Sequence, residues 1–160
     1  TKLPFTLYVV NSVQEEVGLR GAEMMSRTID PNVAIVTDVC HDTQTPMINK
    51  IAEGDLHSGK GPVLTYGPAV QNNLLRHIIK AAEKEKIDFQ RAASSRSTGT
   101  DTDAFAYSAK GVASALISLP LRYMHTTVEM THQDDVESTI KLIHASLKHL
   151  KSGQDFKYIK

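Results

Sequence analysis

Two acidic side chains, Glu15 and Glu16, stand next to each other after a run of β-branched and aromatic residues, Phe5 to Val13 (FTLYVVNSV). Successive side chains diverge in extended backbone, so neighbouring carboxylates can take separate tasks. One can bind a metal ion while the other takes a proton from a metal-activated water. The alternative is a solvated loop that happens to carry two acids. A third carboxylate, Asp38, ends the apolar run Val33-Ala34-Ile35-Val36. An acid entering the edge of a buried sheet needs a partner. Either a metal or nearby backbone N–H groups can supply it. His125 follows a third apolar stretch, inside Arg122-Tyr123-Met124-His125. Neutral imidazole is a common metal ligand, but the chain has 7 His, so a hydrogen-bonded loop histidine is the competing reading. His41-Asp42, just after Asp38, is a further ligand or supporting pair. His77, His144 and His149 fall in helical stretches and are expected at the surface. No spacing makes a zinc finger or an H-E-x-x-H helix, and no His/Asn arrangement singles out Cys40 as a nucleophile.

The elements that must position these residues alternate along the chain. Phe5–Val13 reads as a strand, Leu19–Arg27 as a helix, and Val33–Val39 as a strand buried on both faces. Residues 40–62 lack periodicity and contain Gly54, Gly59, Gly61 and Pro62, so they read as a long loop, a kind that is more often functional than idle. Val63–Tyr66 follows as a short strand. Val70, Leu74, Ile78 and Ala82 predict a helix over Pro68–Glu85, with its proline near the start. Asp88–Ala92 is another strand, Ser94–Thr100 a polar loop, and Asp103–Lys110 a helix stopping at Gly111. Val112–Leu119 is a buried strand closed by Pro120. After a loop around His125, the face Val136, Ile140, Ile143, Leu147 and Leu150 predicts a last helix, with Asp134, Asp135 and Glu137 at its positive end. The alternation implies an α/β three-layer sandwich: a mostly parallel, mixed sheet with helices on both faces. In such sheets ligands gather beyond the carboxyl ends of strands, where Glu15–Glu16, Asp38 and His125 all fall.

Composition narrows the function classes. The chain has 160 residues, suited to one domain, and 41% hydrophobic residues, enough for a core. Lys+Arg and Asp+Glu both total 18, so the basic footprint of a nucleic-acid binder is missing and no nucleic-acid partner is expected. No apolar run approaches the ~20 residues of a membrane-spanning helix. The lone Cys40 cannot form an internal disulfide, which favours a reducing, cytoplasmic setting.

The stretch Val13-Gln14-Glu15-Glu16-Val17-Gly18-Leu19-Arg20-Gly21-Ala22 resembles a signature of the tetrahedral and glutamyl aminopeptidase family, co-catalytic zinc or cobalt metallopeptidases sometimes labelled cellulases. Further matches follow in order: Val36-Thr37-Asp38-Val39, Gly59-Lys60-Gly61-Pro62, Ile87-Asp88-Phe89-Gln90, Gly99-Thr100-Asp101, Gly111 through His125, and Val128-Glu129. The resemblance covers almost the whole chain and implies a zinc-peptidase-like fold. Carried over residue by residue, it implies Glu15 as general base, Glu16 and His125 as ligands of one metal, and Asp38 as a ligand of the other. The implied cofactors are two divalent ions, zinc or cobalt. The implied substrate is a peptide losing its N-terminal residue, and the implied assembly is a homo-oligomer, from dimer to dodecamer.

Two departures qualify these expectations. Relatives usually carry Pro after the small residue that follows the His, whereas Thr127 follows Thr126 here. The family also needs a His ligand and a bridging Asp before the Glu-Glu segment, and the fourteen residues that precede Glu15 contain neither. The expectation for residues 1–160 is therefore the C-terminal part of a catalytic domain. The same expectation has the N-terminal part and the inserted dimerisation domain absent from this chain, its metal site incomplete, and the isolated chain inactive. The competing expectations are a non-catalytic α/β assembly module and a glycosidase with paired carboxylates. The second is disfavoured by the absence of Trp and the scarcity of Tyr (5) and Phe (4) as sugar-stacking platforms.

Overall fold

The computed structural model describes residues 2–108 and 110–158. In chain order the elements are α1 (Arg20–Ile29), β1 (Val33–His41), α2 (Lys50–Glu53), β2 (Val63–Tyr66), α3 (Asn72–Glu85), β3 (Gln90–Ala93), α4 (Asp101–Ala106), β4 (Ala113–Arg122), β5 (Met130–Thr131) and α5 (Gln133–Lys148). The sheet runs β1-β4-β2-β3, with β5 paired to the far end of β4. β1 lies parallel to β4 and β2 parallel to β3, while β2 and β5 each meet β4 antiparallel. None of the described helices is long and apolar enough to cross a membrane.

The two faces of the sheet separate by residue parity, as the two-residue side-chain period of a strand requires. Val33 and Ile35 of β1 turn to the larger core, built with Leu74, Leu75 and Ile78 of α3 and Leu142 of α5. Ala34 and Val36 turn to a second core with Ala22 of α1 and Phe105 of α4. Helices thus cover both faces, giving the expected three-layer α/β arrangement.

Several local expectations change, each for an identifiable reason. Phe5–Val13 is not a strand among the described residues. Leu7, Tyr8, Val9 and Val13 are exposed, and no described strand pairs with this segment to form the ladder that a strand needs. β4 does not stop at Pro120 but continues to Arg122. On the side away from β1, β2 pairs with Ile117 and Ser118 and β5 with Leu121 and Arg122. Pro120 falls in the gap between them, so on that side its missing N–H breaks no ladder bond. α3 begins at Asn72 rather than Pro68, because the Gln71 side chain accepts from the N–H groups of Asn73 and Leu74 and caps the helix there. The helix expected over Asp103–Lys110 spans Asp101–Ala106, and Ala109 lies outside the described residues. The long loop at 40–62 contains the single turn α2.

Of the apolar face read in the sequence, Ile143 and Leu147 of the last helix pack against the larger core and Leu150 just past it is buried, but the helix's buried face is rotated toward polar residues. Ile140 is 62% exposed, whereas Asp135, Thr139, Leu142 and Ser146 are buried. Asp135 is held inside by a specific demand: its carboxylate accepts the backbone N–H of Gly59 at 2.6 Å and of Gly61 at 2.7 Å. Gly61 has φ +87, and an added Cβ would lie 2.2 Å from the Asp88 carbonyl oxygen, so the loop can approach β3 only without a side chain there. His77 is not a surface residue either. It donates to the Ser146 carbonyl at 2.9 Å and stands edge-on to Phe156, a core residue from the C-terminal tail.

Asp135→Ala removes the acceptor that these two glycine amides have among the described residues. A loss of about 2–4 kcal/mol is expected in urea denaturation, since two charge-assisted bonds vanish and the Gly61 donor stays buried.

Candidate active site

The Glu15–Glu16 turn is closed by its own backbone. Gly18 and Leu19 donate to the Glu15 carbonyl at 3.1 and 3.0 Å, Arg20 to Gln14 at 3.3 Å, and Gly21 to Val13 at 2.9 Å. Gln14 (φ 60) and Leu19 (φ 57) sit in the left-handed region to make the turn this tight. Gly21 carries the closest contact: a Cβ there would lie 2.4 Å from both the nitrogen and the oxygen of Val13. The first turn of α1 therefore presses directly on the backbone that delivers the two acids.

His125 arrives from the other end of the chain on an equally constrained loop. It has φ 63 and Tyr123 has φ 58. The Glu129 carboxylate accepts the His125 backbone N–H at 2.6 Å, and the Thr126 hydroxyl donates to the Tyr123 carbonyl at 2.6 Å. The two loops bring His125 Nε2 within 3.5 Å of Glu16 Oε1. Donor atoms sharing one tetrahedral ion at ~2.0–2.1 Å would stand about 3.3 Å apart, so this pair has ligand spacing and a nitrogen–oxygen donor set suited to zinc or cobalt.

Asp38 lies opposite Ser118 in the β1–β4 ladder and is half-buried. Its Oδ1 accepts the Val39 N–H at 2.7 Å. Burial raises its proton affinity, opposed by that N–H, and the charges of Asp101 and Glu16 raise it further. Glu15 is likewise raised, first by burial and then by Asp38, Glu16 and Asp101, with His125 acting against them. The four residues named from the sequence therefore share one sheet edge and feel one another. Even so, among the described residues no three His, Cys, Asp or Glu side chains converge closely enough to ligate one ion. The close pair is Glu16–His125, with Asp38 apart from it.

Asp101 is a residue the sequence reading passed over, taking Gly99-Thr100-Asp101 only as a landmark. It is 9% exposed, accepts the Ser12 hydroxyl, and leaves Oδ1 buried without a partner among the described residues. The signal was present: it follows the loop after β3, so the same rule that placed the other acids applies to it. Asp42 is committed elsewhere, accepting the N–H groups of Gln44 at 2.7 Å and Ser58 at 3.3 Å. Burial, aided by the nearby carboxylates of Asp135, Asp38 and Asp42, pushes the Cys40 thiol up to about 12.

The molecule is thus an α/β domain with an acid-and-histidine cluster near the carboxyl ends of β1 and β4. The sequence profile of the M42 glutamyl aminopeptidase family matches residues 1–142, and the chain belongs to that family. It is 43% identical over 145 residues to the lysyl aminopeptidase of Pyrococcus furiosus, covering 91% of this chain and 41% of that protein. Among solved structures it is similar to the TET aminopeptidase of a marine sediment thaumarchaeon (TM-score 0.80, 33% identity, 88% of this chain and 40% of that one). It is also similar to a Pyrococcus horikoshii TET1 peptidase described as assembling into a tetrahedron or a large octahedral shell (TM-score 0.69, 30% identity, 87% and 40%). The chain spans about two fifths of the length of these relatives.

Gly21→Ala cannot be accommodated without moving Val13. It is expected to displace the Glu15–Glu16 turn and to cost about 1–3 kcal/mol in denaturant unfolding. Cys40, protonated throughout the neutral range, is expected to react with a thiol-specific disulfide reagent at pH 8 at least about tenfold more slowly than free cysteine. Unfolding in urea should restore the ordinary rate, and a fast reaction in the native protein would contradict the assignment.

Proposed function

We propose that this chain belongs to a metal-dependent aminopeptidase, to which it contributes the general base and part of the metal-binding shell. The observation that carries the reading is the 3.5 Å approach of Glu16 and His125 beside Glu15. Glu16 and His125 would hold one divalent ion, zinc or cobalt, and Asp38 would help hold a second. Such ions, when bound, polarise a scissile carbonyl and acidify a water molecule. Glu15 accepts the proton of the attacking water and returns it to the leaving amine. The raised proton affinity of Glu15 suits a group that must take up a proton and then release it. The acidic surroundings attract the protonated N-terminal amine of a peptide, which suits removal of N-terminal residues. The remaining ligands expected for the family would come from another part of a catalytic domain, of which this chain is the C-terminal portion. We extend the reading to a cytoplasmic homo-oligomer, supported by the lone unpaired thiol and by the assembly described for the Pyrococcus horikoshii relative.

The test uses the intact protein carrying this chain, with lysine p-nitroanilide as first substrate because the 43%-identical relative is a lysyl aminopeptidase. Glu15→Gln is expected to lower kcat by about 10²–10⁴-fold, the usual worth of a general base. Its bound zinc or cobalt, measured by elemental analysis, should match the unsubstituted enzyme. Undiminished turnover would remove Glu15 as the base.

A further inference from the structure

Asp101 is the acid beside Glu15 and Asp38 that the proposed chemistry leaves without a task. It opens α4, is 9% exposed, and its charge reaches both carboxylates. One oxygen accepts the Ser12 hydroxyl, a contact spanning 89 residues of sequence. The other has no partner among the described residues. Buried acceptors are normally satisfied, so fold stability alone gives a poor account of an ionisable group here. Ser12 stands three residues before Glu15, just ahead of the Val13 carbonyl that receives the Gly21 N–H. That backbone bond closes the turn upon itself. The Ser12–Asp101 bond is different: it fixes the closed turn against α4, which also packs on β4 and α1.

We propose that Asp101 is a positioning residue, acting through Ser12 to hold the Glu15–Glu16 turn against α4. Glu15 thereby stays at the reacting bond and Glu16 stays on His125. The proposal rests on the aminopeptidase reading for its catalytic consequence, but the tether itself can be tested without it.

In the intact enzyme, Ser12→Ala and Asp101→Ala are each expected to lower kcat about 10–100-fold, as ångström-scale misplacement of a catalytic group does. KM should change by less than about threefold. The double substitution should be no worse than the poorer single one, because both remove the same bond. Asp101→Asn, whose amide oxygen still accepts from a hydroxyl, should recover most of the loss. Independently, hydrogen exchange should quicken at the amides of Gly18, Leu19, Arg20 and Gly21 in both alanine variants, with Leu74 to Ile78 of α3 unchanged. If Asp101→Ala fails to fold, Ser12→Ala and Asp101→Asn carry the test.

Multiplying losses in the double variant, or an asparagine variant as poor as the alanine one, would overturn the tether. So would unchanged exchange at the turn. Quickened exchange with unchanged kcat would reduce Asp101 to a brace of the fold. A wild-type enzyme that cleaves no aminoacyl substrate would sink the functional reading instead, and the exchange data would still decide whether the tether exists.

Discussion

The parallel ladder between β1 and β4, in register from Val33–Ala113 to His41–Leu121, is the contact on which the site's geometry depends. Both strands point the same way, so both deliver their carboxyl ends to one edge of the sheet. Asp38 emerges there from β1, and the loop carrying His125 begins a few residues after its ladder partner Ser118. The same two strands separate the helical layers, since alternate residues of β1 feed different cores. A slip of one residue would exchange the faces of every side chain in the ladder.

That edge gathers like charges. Burial and mutual repulsion raise the proton affinity of Glu15 and Asp38. Groups raised in this way favour the folded state most at pH below their unfolded values. The contribution is lost as pH rises through their folded values. At neutral pH the cluster is therefore a strain on the fold, relieved by a cation or a protonated amine. Its members need external anchoring for that reason. Gly21 lets α1 press on Val13, Glu129 holds the His125 amide, and Ser12 meets Asp101. The left-handed backbone at Gln14, Leu19, Tyr123 and His125 lies in the same two loops, as expected where local strain is maintained by surrounding contacts. The glycine loop at 59–61 is held by the buried carboxylate of Asp135 rather than by apolar packing.

Much of this was legible in the sequence. The apolar run Val33–Val39 and the helical period of Val70, Leu74, Ile78 and Ala82 determined a strand and a helix, because burial demands those repeats whatever the partner. The ordered motifs from Glu15-Glu16 to Val128-Glu129 determined the family. Tertiary structure alone decided the rest. The apolar pattern of Phe5–Val13 states a preference for pairing but cannot create a neighbour to pair with. The last helix turned Asp135 inward and left Ile140 exposed, because two glycine amides 74 to 76 residues away needed an acceptor. Asp38 showed the same ambiguity until its Val39 contact was seen. Asp101 acquired significance only when Ser12 was brought beside it. Periodicity records what a segment must bury, and so it is local. Which carboxylate meets which donor depends on contacts across most of the chain, and only the folded arrangement determines those.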